Sequence, residues 1–98
     1  MEVEFDDASL EDLEVNPHAT AGHGGAVDKG FRKKMQVLRA AVDERDLRAL
    51  KSLRFEKLKG QRSHQHSLRI NDQWRIVIEL RKENERTRIV IVSIEDYH

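Results

Sequence analysis

A chain of 98 residues can bury one modest hydrophobic core but not two, so a single domain over residues 1–98 is expected. It has no cysteine, which excludes disulfide and thiolate chemistry, and no apolar run near the ~20 residues of a membrane span; with an acidic start unlike a secretion signal, it reads as a soluble cytoplasmic protein. Net charge is zero, yet residues 1–28 hold eight acids and no Lys or Arg, residues 29–82 sixteen bases against six acids, and residues 83–98 two against four.

In chain order, residues 1–28 read as an acidic strand, a short helix and a loop. Val3 and Phe5 alternate with acids, giving a short strand at residues 2–5. Ser9 reads as an N-cap, with Leu10 and Leu13 on one face of a short helix. NPHATAGHGG, residues 16–25, holds the only proline and three glycines and reads as a loop that leaves His18 and His23 in solvent. Residues 29–50 read as helices. Phe31, Met35, Leu38 and Val42 recur at i, i+4, i+7 and i+11, with Lys29, Arg32, Lys33 and Lys34 on the other faces. Asp43 then caps a second short helix in which Leu47 and Leu50 point inward.

Residues 51–98 change to strand periodicity. Phe55–Leu58 is short and ends in a turn at Lys59-Gly60, while His66–Ile70 and Trp74–Leu80 alternate. Lys82–Arg86 is a charged hairpin loop, and RIVIVSI, residues 88–94, is apolar enough for a central strand covered on both faces. The expected class is α+β: a mostly antiparallel sheet with two or three helices packed on one face.

The hairpin between the third and fourth strands has a register with chemical consequences. If Leu68, Ile70, Trp74 and Ile76 share the core face, a three-residue turn at Asn71-Asp72-Gln73 places Arg69 opposite Arg75. Facing guanidinium groups repel, so something anionic belongs between them. An RNA phosphate suits the bidentate fork, and a neighbouring Asp or Glu suits it equally. The basic middle of the chain likewise fits either an RNA partner or an unevenly charged solvated surface.

LKGQRSHQHSLRINDQWRI, residues 58–76, together with the closing EDYH, residues 95–98, closely resembles the plasmid-maintenance killer toxins, the HigB branch of the RelE superfamily. The resemblance covers about the last 45 residues and rests on the combination LKG, RIN, W-R-I and DYH in that order. It implies a microbial-ribonuclease-like sheet and a toxin of a type II toxin–antitoxin system that cleaves mRNA in the ribosomal A site. It further implies a cognate antitoxin, a small helix-turn-helix protein, and catalytic positions at Lys59, Arg75, Asp96, Tyr97 and His98. Where several relatives carry a histidine three residues before the LKG lysine, this chain has Glu56.

RNA cleavage without a metal needs a base for the 2′-OH, cations on the phosphate, an acid for the leaving 5′-oxygen, and in-line alignment. The acid assigned here is His98, whose ordinary pKa of ~6.5 is raised in tendency by the α-carboxylate beside it. Glu56 is the candidate base, with His98 the alternative. Lys59 and Arg75 are expected to stabilise the phosphorane, Arg62, Arg69 and Lys57 to hold RNA phosphates, Tyr97 to stack on a base or meet the 2′-OH, and Asp96 to orient His98 or Arg75. No cofactor or metal is expected. His64-x-His66 has the spacing of two ligands, but no cysteine or third clustered histidine completes a site. The rival reading is a module of the same fold that binds antitoxin or ribosome without cutting RNA; a DNA-binding regulator lacks any base-reading motif. A further expectation lays the acidic residues 2–14 over the basic strand face, where they mute RNA affinity.

Overall fold

Side-chain caps and left-handed turns set most of the element boundaries. In the computed structural model, which describes residues 1–97, the first strand is β1 (Glu2–Phe5) and the first helix α1 (Ala8–Val15). The cap of α1 is Asp7 rather than Ser9: its carboxylate accepts the Ser9 N–H at 2.8 Å and the Ser9 hydroxyl at 2.6 Å. A carboxylate also complements the positive end of the helix better than a hydroxyl does.

The second helix, α2 (Gly25–Ala40), starts earlier than its apolar stripe suggests, because Val27 adds a turn of buried surface. It also ends earlier. Ala41 is extended, and Val42, the expected last member of the stripe, is 82% exposed with its N–H given to Asp46. Asp43 caps α3 (Glu44–Ala49) as expected; Leu47 is buried, whereas Leu50 lies beyond the helix and is exposed. Loop 16–24 is fastened to α2 from two sides. The Arg32 guanidinium donates to the carbonyls of Leu13, Asn16 and Ala19 at 2.8–3.0 Å, and the buried Asp28 carboxylate accepts the Ala21 N–H at 3.0 Å.

The remaining strands are β2 (Glu56–Lys57), β3 (Gln65–Arg69), β4 (Trp74–Glu83) and β5 (Arg86–Asp96). Their spatial order is β1-β5-β4-β3-β2, with β1 parallel to β5 and the other pairs antiparallel. The charged β4–β5 loop shortens to a two-residue turn, Asn84-Glu85, both residues left-handed as a primed hairpin turn requires. In the β3–β4 turn the Asn71 side chain accepts the N–H groups of Gln73 and Trp74. That fixes the expected register, Leu68 opposite Ile76 and Arg69 opposite Arg75.

All three helices cover one face of the sheet. Leu10, Leu13, Phe31, Met35, Leu38 and Leu47 meet Leu68, Ile76, Ile78, Ile89 and Ile91 there in a sealed core. At ~25 cal/mol per Å² of buried apolar surface, each such side chain contributes about 1.5–3 kcal/mol. β5 lies between β1 and β4 in the sheet, but on its second face only Val90 is buried while Arg88 and Ser93 stay partly exposed, so the expected cover of RIVIVSI on both faces holds at Val90 alone. Among the described residues no helix is long and apolar enough to cross a membrane.

One irregularity decides what the sheet presents. Val77 pairs with Ser93, but Ile78 pairs with Ile91, leaving Val92 as the extra residue of a β-bulge. Before the bulge Ile89 and Ile91 face the helices; after it Ile94 does, and Ser93 and Glu95 turn to the opposite face. A regular strand would have aimed Glu95 into the core.

Candidate active site

Away from the helices the sheet carries rows of polar side chains. One row runs Glu56–Ser67–Val77–Ser93 across β2, β3, β4 and β5, and the next runs Arg69–Arg75–Glu95. The anion that the facing arginines require is therefore supplied first by the protein. Arg75 Nη2 lies 3.8 Å from Glu95 Oε1, and Arg69 pairs with Asp72 of the turn.

Glu95 is the hub of this face. Both its oxygens accept from the Arg62 guanidinium, at 2.8 and 2.6 Å, and Oε2 also accepts from the Ser93 hydroxyl at 2.6 Å. The Arg62 contact, helped by Ser93 and the charge of Arg75 against the burial, holds the Glu95 carboxyl below its ordinary pKa. Arg62 Nε continues to Gln65, whose amide donates to Glu79. This network crosses over Val77, which is fully buried.

Where Arg62 leaves β4 uncovered, a cleft of about 310 Å³ opens, lined by Glu56, Lys57, Leu58, Lys59, Arg62 and Arg75. The Arg75 side chain is 20% exposed, and its Nε is buried with no hydrogen-bond partner among the described residues. An unsatisfied buried N–H is disfavoured by about 1–3 kcal/mol, more when charged, so the Arg75 guanidinium is incompletely paired where it borders the cleft. The Tyr97 ring packs 5.4 Å from the Arg75 guanidinium carbon, held by its own N–H on the Gln73 carbonyl at 2.8 Å. Burial, with the Glu56 carboxylate adding to it against Arg75, Arg69 and Arg54, raises the Tyr97 phenol above its usual pKa. It stays protonated and able to donate.

The structure thus brings Glu56, Lys59, Arg62, Arg75 and Tyr97 to one end of one face, with Arg69 beside them. It does not bring Lys57 and Asp96 to that face. Lys57 pairs with His66 on the alternate pleat, which turns its side chain toward the helix layer although the residue borders the cleft. Asp96 pairs with Trp74, also on the alternate pleat, and accepts from the Gln73 amide at 3.0 Å. The bulge sets this parity: the shift that turns Glu95 toward the cleft turns Asp96 away. His98 lies outside the described residues.

Glu95, Ser93 and Arg54 went unassigned in the sequence. Facing Arg69 and Arg75 require an acid nearby, and Glu95 stands in the EDYH motif, but its face depends on the bulge. His64 lies in the turn before β3 and His66 within the strand, and the two diverge. His64 approaches Glu79 at 3.9 Å, while His66 stacks flat on Phe55 at 4.8 Å. Among the described residues no three His, Asp or Glu side chains gather as a metal site would require. The acidic start does not lie over the cleft. β1 pairs only with β5 before the bulge, where Glu4 meets Arg88 at 2.5 Å, and Glu14 meets Arg39 at 2.6 Å.

The model of the HigB-like toxins, RelE-like toxins of type II toxin–antitoxin systems, matches residues 3–98. The chain belongs to that family. Among solved structures it is similar to the YoeB/ParE toxin from Agrobacterium tumefaciens, with a TM-score of 0.60 and 15% identity over 100% of each chain, a likeness of fold alone. No curated protein matches. The family gives the toxin an antitoxin partner, and the α+β architecture expected from its periodicity is the one found.

Proposed function

We propose that this toxin is a metal-independent endoribonuclease that enters the A site of the small ribosomal subunit, cuts the mRNA bound there, and so stops translation in the cytoplasm. The observation that supports it is one cleft of about 310 Å³ that collects the carboxylate of Glu56 with the cationic side chains of Lys59, Arg62 and Arg75. In the reaction Glu56 takes the proton of a ribose 2′-OH, whose oxygen bonds to phosphorus as the bond to the 5′-oxygen breaks. Lys59 and Arg75 stabilise the charge on the phosphorane, worth roughly a hundredfold in rate for one well-placed donor. His98 returns a proton to the leaving 5′-oxygen, leaving a 2′,3′-cyclic phosphate. Tyr97 donates to the 2′-oxygen region or stacks on the base, Arg62 and Arg69 hold flanking phosphates, and the antitoxin is a small helix-turn-helix protein.

A second reading, a module that binds antitoxin or ribosome without cutting, is favoured by one observation: Glu95 already engages Arg62 and approaches Arg75. Translating ribosomes carrying a defined mRNA separate the two. Cleavage products with new 5′ ends inside the A-site codon, lost with Lys59→Ala, Arg75→Ala and His98→Ala, are expected. Intact mRNA on ribosomes that co-sediment with the toxin overturns the nuclease reading.

A further inference from the structure

The loop at residues 16–24 and the basic flank of α2 have no part in the cleavage scheme, yet they meet at the far side of the β3–β4 hairpin. His23 rests on Trp74 with ring centroids 4.2 Å apart and 30° between planes, exposed on its outer side. Arg32 and Asp28 pin the loop as far as Ala21, and the contact with Trp74 seats the ring itself. Next to Trp74, Ile70 and the outer flank of α2 line a groove of about 270 Å³ with Ala26, Lys29, Gly30, Lys33 and Lys34. None of these three lysines has an ion pair among the described residues, whereas Arg39 farther along the same helix is held by Glu14. Gly30 gives the groove its depth. A Cβ there would stand 2.6 Å from Ile70 Cγ2.

An aromatic ring fixed in place beside unpaired lysines is the combination that holds single-stranded nucleic acid. The ring takes a base by stacking, and the ammonium groups take the adjoining phosphates. We infer that His23 on Trp74, with Lys29, Lys33 and Lys34, forms a second RNA-binding surface that stacks one unpaired base across the β3–β4 hairpin from the cleft. Arg69 and Arg75 project from one face of that hairpin and Ile70 and Trp74 from the other. A strand passing the hairpin tip thus meets both sites. The inference rests on the nuclease reading for the identity of the ligand as RNA.

Trp74 is the only tryptophan and reports on its own surface. The test titrates the full chain with an uncleavable 2′-O-methyl single-stranded RNA, following Trp74 emission and RNA anisotropy together. Binding is expected to change the emission, and His23→Ala to weaken affinity roughly tenfold, with His23→Phe restoring most of it. Lys29→Gln with Lys33→Gln should weaken binding and flatten its dependence on log salt by about 0.7 per lysine. Lys59→Ala with Arg75→Ala should abolish cleavage while the Trp74 signal persists. Unchanged affinity and salt slope in the lysine variant, or emission that stays still while anisotropy saturates, overturns the inference. So does a lysine variant that loses poly-glutamate but not RNA, which reassigns the surface to an acidic protein. Should wild-type toxin leave ribosomal mRNA uncut while the Trp74 signal and its lysine dependence hold, the nuclease reading fails and this surface stands. Weaker binding of the lysine variant to mRNA-free ribosomes assigns the strand to ribosomal RNA; weaker binding only with mRNA present assigns it to the substrate. Both support the surface.

Discussion

Arg75 and Ile76 are neighbours in the chain and belong to two different regions of the molecule. Ile76 stands in the row Leu68–Ile76–Ile94, sealed beneath the helices. Arg75 stands in the row Arg69–Arg75–Glu95, at the mouth of a cleft. Strand alternation lets one segment hold the fold on one side and line an open polar cleft on the other. The polar side is itself divided. Before the bulge Arg88 is matched by Glu4 and Glu83, and Arg81 by Glu79. After it Arg62, Arg69 and Arg75 share Glu95 and Asp72, and Lys59 adds a further cation. Two arginines thus meet three carboxylates before the bulge, whereas at the cleft four cations meet three carboxylates, Glu56, Asp72 and Glu95.

The two faces differ most in what Ile76 and Arg75 hold together. Ile76→Ala should cost about 2–5 kcal/mol in urea unfolding, since it opens a cavity in a sealed core. Arg75→Ala should instead lower ribosome-dependent cleavage roughly a hundredfold or more while stability stays within ~1 kcal/mol, measured on the same preparation. An Arg75 variant as unstable as the Ile76 variant would show that the two faces are not separable.

Gly30 probes the seam between α2 and the hairpin that carries both rows. Gly30→Ala gains up to ~1 kcal/mol of helix propensity but drives a methyl against Ile70, at about 1–3 kcal/mol for overpacking. A net loss of roughly 1 kcal/mol is expected, and Gly30→Ala with Ile70→Ala should be more stable than the two single changes predict when added. Simple additivity would mean that the close approach to Ile70 carries no strain.

The smallest effect belongs to Glu95. Its folded carboxyl titrates below its unfolded value, so the Arg62 pair adds stability above the ordinary carboxylate range and loses it as pH falls through the folded value. Glu95→Gln should lower stability near neutrality by only about 0.5–1 kcal/mol, because the Arg62 side chain is 43% exposed. It should also flatten the decline in acid. A parallel pair of stability–pH curves would remove Glu95 from the network's energetics.

Several features followed from the sequence alone, because their causes are local. Apolar spacing set the strands and the middle of α2, Asp43 set a cap, and the three-residue turn at Asn71-Asp72-Gln73 set Arg69 against Arg75. The LKG, RIN and DYH pieces named the family that the match over residues 3–98 shows. The tertiary structure alone decided the parallel seat of β1 on β5, the bulge at Val92, the faces of Glu95 and Asp96, and the rest of His23 on Trp74. Each of these depends on groups far apart in the chain. A bulge inverts the face of every residue after it while leaving local periodicity almost unchanged, so hydropathy cannot announce it.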